Sequence, residues 1–192
     1  MKKILIGTHN RGKFKEIAYL ISKRYKKISP VSLKIKSPKE TGKTFIANSR
    51  LKAKFFSKFV DFPVISDDSG LSIMSLNNKP GIYSARLAKK QGGFLQAMKF
   101  ILKKMENKKN RKATFICSLA YKDKEKKIIS VEGKLKGTIS KKILGKNGFG
   151  YDSIFIPLRK KITFGQMSKL KKIKMDHRFL AFQKLKKKIK TL

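Results

Sequence analysis

Acid is what this chain has least of: 11 Asp and Glu stand against 50 Lys and Arg in 192 residues, for a formal net charge of +39. A field of that sign attracts nucleotides, nucleic acid or anionic lipid. The basic residues are not gathered in the sequence, since lysines run from Lys2 to Lys190 and the arginines are scattered singly. A DNA reader clusters Arg for bidentate contacts to guanine, so nucleic-acid binding beyond nonspecific electrostatics is not expected. Cysteine is nearly absent too. Cys117 stands alone, which rules out an intrachain disulfide, and the apolar run Phe115 to Leu119 reads it as a buried strand thiol in a reducing, cytoplasmic setting. Long hydrophobic runs are lacking. The apolar stretch after Lys2-Lys3 stops at Gly7, too short for a signal peptide or a membrane span. Without a Pro/Ser linker, repeat or low-complexity segment, the expectation is a single domain over 1–192, and 14 Phe within a 40% hydrophobic composition give it a real core.

What is present alternates between strand and helix patterns. Ile4-Leu5-Ile6 reads as a short buried strand. Phe14, Ile17 and Ile21 then recur at helical spacing over about Lys13 to Lys23. Val31 to Ile35 reads as a second strand, and a helix from about Thr44 to Phe59 has Thr44 as cap and Ile46, Ala53, Phe56 and Val60 on one face. Val64-Ile65 and Leu71-Ser72-Ile73 are extended segments, and Asn77 to Gly81 signals a turn. Phe94, Met98, Ile101, Leu102 and Met105 form an amphipathic helix ending near Asn107. Strands at about Ala113 to Lys122 and Lys127 to Leu135 are joined by the charged turn Lys122 to Lys126. Ser153 to Pro157 is strand-like. Asp176 opens a last helix with Phe179, Phe182 and Leu185 or Ile189 inward and a solvated lysine-rich end from Lys186.

Three segments carry chemistry. Thr8-His9-Asn10-Arg11-Gly12-Lys13 joins a strand to a helix N-terminus with a Gly and a Lys, the ingredients of an anion cradle, although it is no Walker loop. Ser66-Asp67-Asp68-Ser69-Gly70 sets two carboxylates side by side in an acid-poor chain. In a strand they point to opposite faces, and at a strand end they fit Mg²⁺ shared with substrate phosphates. On the dipeptide alone a solvated turn is the better-favoured reading. Gly145 to Asp152 is a glycine-rich loop with two aromatics, Phe149 and Tyr151, one glycine apart.

Taken in order, Thr8 to Lys13 with Glu16, Glu40-Thr41-Gly42-Lys43-Thr44-Phe45, Asp67-Asp68-Ser69-Gly70-Leu71, Pro80 to Arg86, Gly148 to Asp152, and His177-Arg178 resemble one family. It is that of the inosine triphosphate pyrophosphatases, which act on noncanonical purine nucleotides such as ITP, dITP and XTP. The resemblance implies an α/β fold with a long mixed sheet, flanking helices and two lobes around a central nucleotide-binding cleft, in a homodimer without membrane attachment. It also implies cleavage between the α and β phosphates, releasing the monophosphate and pyrophosphate and removing deaminated purines from the nucleotide pool. By the same resemblance Glu40 and Asp68 hold Mg²⁺, and Asp68 is catalytic and orients or deprotonates the attacking water. Asn10 and Lys13 bind the triphosphate within the loop Thr8, His9, Asn10, Arg11, Gly12 and Lys13. Ser69, Phe149, Gly150, Tyr151, Asp152, Lys172, His177 and Arg178 bind substrate, with Phe149 and Tyr151 as the stacking surface. Lys52 and Asp67 are additional candidates.

The match has departures. Ala47 stands where the family has Glu, Gln166 where Glu is usual, Asp176 in place of Ser before His-Arg, and Ser153 in place of Pro after Gly-Tyr-Asp. Two other readings remain at this point: a basic nucleic-acid-binding protein on the same fold, and a related pyrophosphatase acting on modified pyrimidines.

Overall fold

A computed structural model of the chain describes residues 1–123 and 127–189. Strand β1 (Lys2–Gly7) carries Ile4, Leu5 and Ile6, all fully buried. An unbroken apolar triplet suits a strand covered on both faces. β1 pairs in parallel with β2 (Tyr25–Ile28) and with β3 (Val64–Ile73). The remaining strands are β4 (Lys79–Pro80), β5 (Lys112–Lys122), β6 (Ile129–Ile139) and β7 (Phe155–Pro157). Among the described residues the hydrogen-bonded order is β2-β1-β3-β5-β6-β7, with β4 on β3. The β3–β4 and β6–β7 pairs are antiparallel, so the sheet is mixed, as expected. The helices flanking it are α1 (Arg11–Leu20), α2 (Phe45–Phe56), α3 (Ser84–Lys90), α4 (Phe94–Lys104), α5 (Lys169–Ile173) and α6 (His177–Lys188). Among the described residues no helix is long and apolar enough to cross a membrane.

The chain divides into two compact units, one within Met1–Asp68, Cys117–Gly133 and Arg178–Leu192, the other within Ser69–Ile116 and Lys134–His177. In the first, the strand pleat sends alternate side chains to opposite faces. Ile4, Ile6 and Ile65 pack with Ile17 of α1 and with Phe182 and Leu185 of α6, while Leu5 and Val64 pack on the other face against Phe56 of α2. Cys117 is fully buried in the first of these clusters, as its apolar run predicts. The second unit has its own core, in which Leu71, Ile73, Ile101, Met105, Phe115, Phe155 and Phe164 meet.

Several expectations need correction. Val31 to Ile35 is no strand: the second strand is Tyr25–Ile28, and the later segment folds on itself, with Leu33 N and Ile35 N both donating to Pro30 O and Ser32 N donating to Ser29 Oγ. Those local bonds satisfy the backbone without a ladder partner. The Asp pair lies neither in a turn nor at a strand end. β3 is continuous from Val64 to Ile73 and holds both acids in its interior. The inward face of α2 is Phe45, Asn48, Ser49, Lys52, Ala53 and Phe56, whereas Ile46 is 38% exposed. The expected charged turn falls partly on 124–126, and the end of the lysine-rich tail on 190–192, both outside the described residues.

Phe56 is fully buried, and a Cβ built on Gly7 would come within 2.6 Å of its ring. Phe56→Ala should therefore lower unfolding free energy by about 3–5 kcal/mol in denaturant titration.

Candidate active site

Within the first unit, β3 delivers Asp67 and Asp68 to opposite faces, and a different helix meets each. Asp67 follows the Ile65 face toward α1, where Lys13 Nζ lies 3.1 Å from its Oδ2. Lys13 is held there by the helix start, because Asn10 caps α1 by accepting from Lys13 N at 3.0 Å. Asp68 follows the Val64 face toward α2, where Asn48 Nδ2 donates to its Oδ2 at 3.0 Å. Asn48 Oδ1 in turn accepts from Gly42 N at 2.8 Å, so its amide orientation is fixed from both ends. One turn further along α2, buried Lys52 donates to Glu40 Oε1 at 2.7 Å.

Charges decide the state of each acid. Burial pushes Asp67 up, but Lys13, Lys52 and Arg178 outweigh it and hold the carboxyl at about 2. Asp67 is thus a permanent anion. Asp68 moves the other way: burial raises its pKa, and Glu40 adds to that against the opposing pull of Lys52 and Lys13 and the Asn48 hydrogen bond. For Lys52, burial disfavours the charge, yet Asp67, Glu40 and Asp68 together raise its pKa. Glu40 and Asp68 are an oxygen-only pair whose mutual repulsion a hard divalent cation relieves, so the residues present fit Mg²⁺. Among the described residues no three His, Cys, Asp or Glu side chains converge as a metal cluster. A cation here takes its remaining ligands from water and substrate oxygens.

Arg178, also in the first unit, is buried, and its Nε donates to Glu16 of α1 in a closed pair. The other loop residues form no such cluster. Thr8 is buried, Arg11 is exposed, Gly12 lies inside α1, and exposed His9 places Nε2 2.9 Å from Ile35 O.

In the second unit, Asp152 Oδ2 accepts from Phe149 N at 2.8 Å and from Lys172 Nζ at 2.5 Å. Lys172 is buried and lies 4.7 Å from the Phe149 ring centre, positioned by α5, whose cap is Ser168. Gly148 makes the turn possible: its φ is +77°, and a Cβ there would sit 2.1 Å from Asp152 Oδ2. Tyr151 is corrected from a stacking surface to a core residue. It is buried, edge-on to Phe94, and its hydroxyl donates to Ser84 O at 2.8 Å. Phe149 is only half-buried, and Gly150 follows it with φ +68°. His177 is buried and stacks on Phe115 at 4.6 Å. Ser69 lies half-buried in β3.

Sequence reasoning gave Asn48 no role. Its signal was there, since Asn48, Ser49 and Lys52 fall at the helical spacing of Phe45 and Phe56, and polar residues on a buried face imply partners. The departure at Gln166 also has an account. Thr163 N donates to Gln166 Oε1 at 3.0 Å in a capping box, a task that Gln performs as Glu does. Ser153, in the place of Pro, donates to Gly145 O at 2.9 Å. Ala47 supplies only its N–H, to the Thr44 cap.

Comparison with known proteins gives consistent matches along the whole chain. The sequence profile of the Ham1 family matches residues 4–188. A dITP/XTP pyrophosphatase of Dictyoglomus thermophilum is 40% identical over 190 residues, covering 95% of this chain and 92% of that protein. Among solved structures, the Staphylococcus aureus Ham1 protein has a TM-score of 0.87 at 33% identity, covering 98% of each chain. A HAM1 protein from Coxiella burnetii has a TM-score of 0.88 at 29% identity and full coverage of both.

Two outcomes are expected from these charges. The Asp67 pKa is depressed on folding, so its contribution is complete above the unfolded value near 3.9 and is lost as pH falls toward about 2. In chelator-treated protein, wild type should exceed Asp67→Asn in unfolding free energy by on the order of 2 kcal/mol near neutral pH, and that difference should vanish on acidification. Lys172→Met, which strips Asp152 of this ion pair, should cost about 3–5 kcal/mol, measured the same way.

Proposed function

Because the chain belongs to the Ham1 family, we propose that it hydrolyses the deaminated purine nucleoside triphosphates ITP, dITP and XTP. Water attacks the α phosphorus, the bond to the bridging oxygen breaks, and pyrophosphate leaves with that oxygen while the nucleoside monophosphate stays behind. The observation that carries this reading is the division of labour between the two buried acids: Asp67 is pinned ionised by Lys13, while Asp68 has a raised pKa beside Glu40. A carboxylate with a raised pKa is the better base, and Asp68 takes the proton of the attacking water. Asn48 orients Asp68 by its single hydrogen-bond donation. Lys13, at the capped start of α1, and the Lys52 ammonium oppose the charge of the triphosphate.

Mg²⁺, when bound at Glu40 and Asp68, neutralises phosphate oxygens and stabilises the leaving pyrophosphate. For the base, Phe149 supplies the ring for stacking, held by the Asp152 and Lys172 pair, and Tyr151 supports the loop from below. Arg178, fixed by Glu16, keeps further N–H donors beyond Nε. A fixed donor favours the 6-oxo group of hypoxanthine and xanthine over the 6-amino group of adenine. A homodimer and a cytoplasmic location complete the reading, the first supported by the family resemblance and the second by the nucleotide pool the reaction serves.

Pyrophosphate release from ITP, XTP, GTP and ATP, with and without Mg²⁺, tests it. Metal-dependent release from ITP and XTP should far exceed that from ATP or GTP, and Asp68→Asn should reduce it by roughly 10²-fold or more at unchanged folding. An inactive wild type would sink the proposal.

A further inference from the structure

Lysines that are scattered along the sequence converge in the second unit. An open concavity of about 690 Å³ runs between the Ser75–Arg86 segment and α4, and is lined by Leu76, Pro80, Leu87 and Ile101 with the aromatic rings of Tyr83 and Phe100. Tyr83 is 53% and Phe100 37% exposed, and each carries its own cation: Arg86 lies 5.0 Å from the Tyr83 ring centre and Lys104 lies 5.8 Å from that of Phe100. The concavity shares Lys108 with a second one of about 830 Å³, where Lys103 and Lys141 are added. The second shares Lys109 and Arg111 with a third, which ends at Lys112 and Thr138. Across the three linings Glu106 is the sole acid among the described residues.

Cations at the end of a helix complement its dipole, and that accounts for Lys103 and Lys104 in the last turn of α4. It does not account for Lys79, Arg86, Lys90 and Lys141, which lie on other elements of the same surface. A second copy of the chain would bring this cationic rim against another highly positive surface. The lysine-dominated track suits a regularly spaced polyanion, because a flexible ammonium binds phosphate as a point charge and reads no sequence. Exposed aromatics with adjacent cations at one end of a basic groove are the arrangement that stacks unpaired bases while the backbone follows the charge.

We propose that this face of the second unit is a docking track for single-stranded nucleic acid, with bases on Tyr83 and Phe100 and phosphates along Lys104, Lys108 and Lys141. The surface uses none of the residues assigned to hydrolysis, so it stands independently of the catalytic reading.

Fluorescence anisotropy of a labelled oligothymidylate with the full chain, over a salt series, tests the track. Lys104→Glu/Lys108→Glu should weaken binding by roughly tenfold or more at about 0.1 M salt and lower the salt slope by about 0.7 for each phosphate no longer neutralised. Lys54→Glu/Lys187→Glu, exposed positions of the first unit with the same change in charge, should have little effect. Tyr83→Ala/Phe100→Ala should weaken binding with the salt slope unchanged, and pyrophosphate release should persist in all three variants. Equal losses in the two charge-reversed variants would reduce the binding to net charge and overturn the track. Absence of wild-type binding would overturn it too, as would dissociation of a dimer by Tyr83→Ala/Phe100→Ala with oligonucleotide affinity intact, which would make the groove a self-interface.

Discussion

Putting two adjacent carboxylates inside a strand is the constraint around which the first unit is arranged. An isolated buried carboxylate is strongly disfavoured and would neutralise by taking a proton. Asp67 keeps its charge because Lys13 sits on its face of β3, and Lys13 is there because Asn10 starts α1 at the right residue. Asp68 keeps its place through Asn48, whose other amide atom fastens the Gly42 backbone ahead of α2. Each acid thus prescribes a helix position, and the loop before α2 brings Glu40 to Lys52. The same logic recurs with Glu16 and Arg178, and with Asp152 and Lys172 in the second unit.

The scarcity of acid has a spatial side. Glu16, Asp67, Asp68, Asp152 and Asp176 are buried, so the depletion falls hardest on the surface. Lysine there meets little countercharge, and folding converts an even distribution along the chain into a continuous basic surface on one unit. Two roles for charge are therefore separated, with paired ions inside and unopposed cations outside. The interior ones fix geometry in low dielectric, whereas the exterior ones are screened by salt.

Much of this was legible beforehand, in proportion to how local the determinants are. Ile4-Leu5-Ile6 specified β1, and Thr44 marked the start of α2, because apolar runs and caps act over a few residues. The amphipathic pattern of α4 likewise needed only its own residues. Val31 to Ile35 misled because its alternation is real, but Pro30 and Ser29 offer closer hydrogen-bond partners than any strand. The Asp pair was found as chemistry and misplaced as geometry, since Asp-Ser-Gly has turn composition and only Lys13 and Asn48, distant in sequence, make a strand interior tolerable for it. Tyr151 shows the same limit, for its hydroxyl partner Ser84 is far along the chain and turns a ring read as a stacking surface into a core contact.

The fixed orientation of the Asn48 amide has a chemical consequence. Its oxygen faces an N–H and its nitrogen faces a carboxylate, so the two ends are not interchangeable. Hydrolysis of that amide to a carboxylic acid would leave size and shape almost untouched while replacing the donor toward Asp68 with an anion. The pair would then repel instead of bind, in a site where burial and Glu40 already work against the Asp68 charge. Loss of one amino group, the kind of damage that produces the purines this protein is proposed to remove, would thus set Asp68 adrift in the enzyme itself.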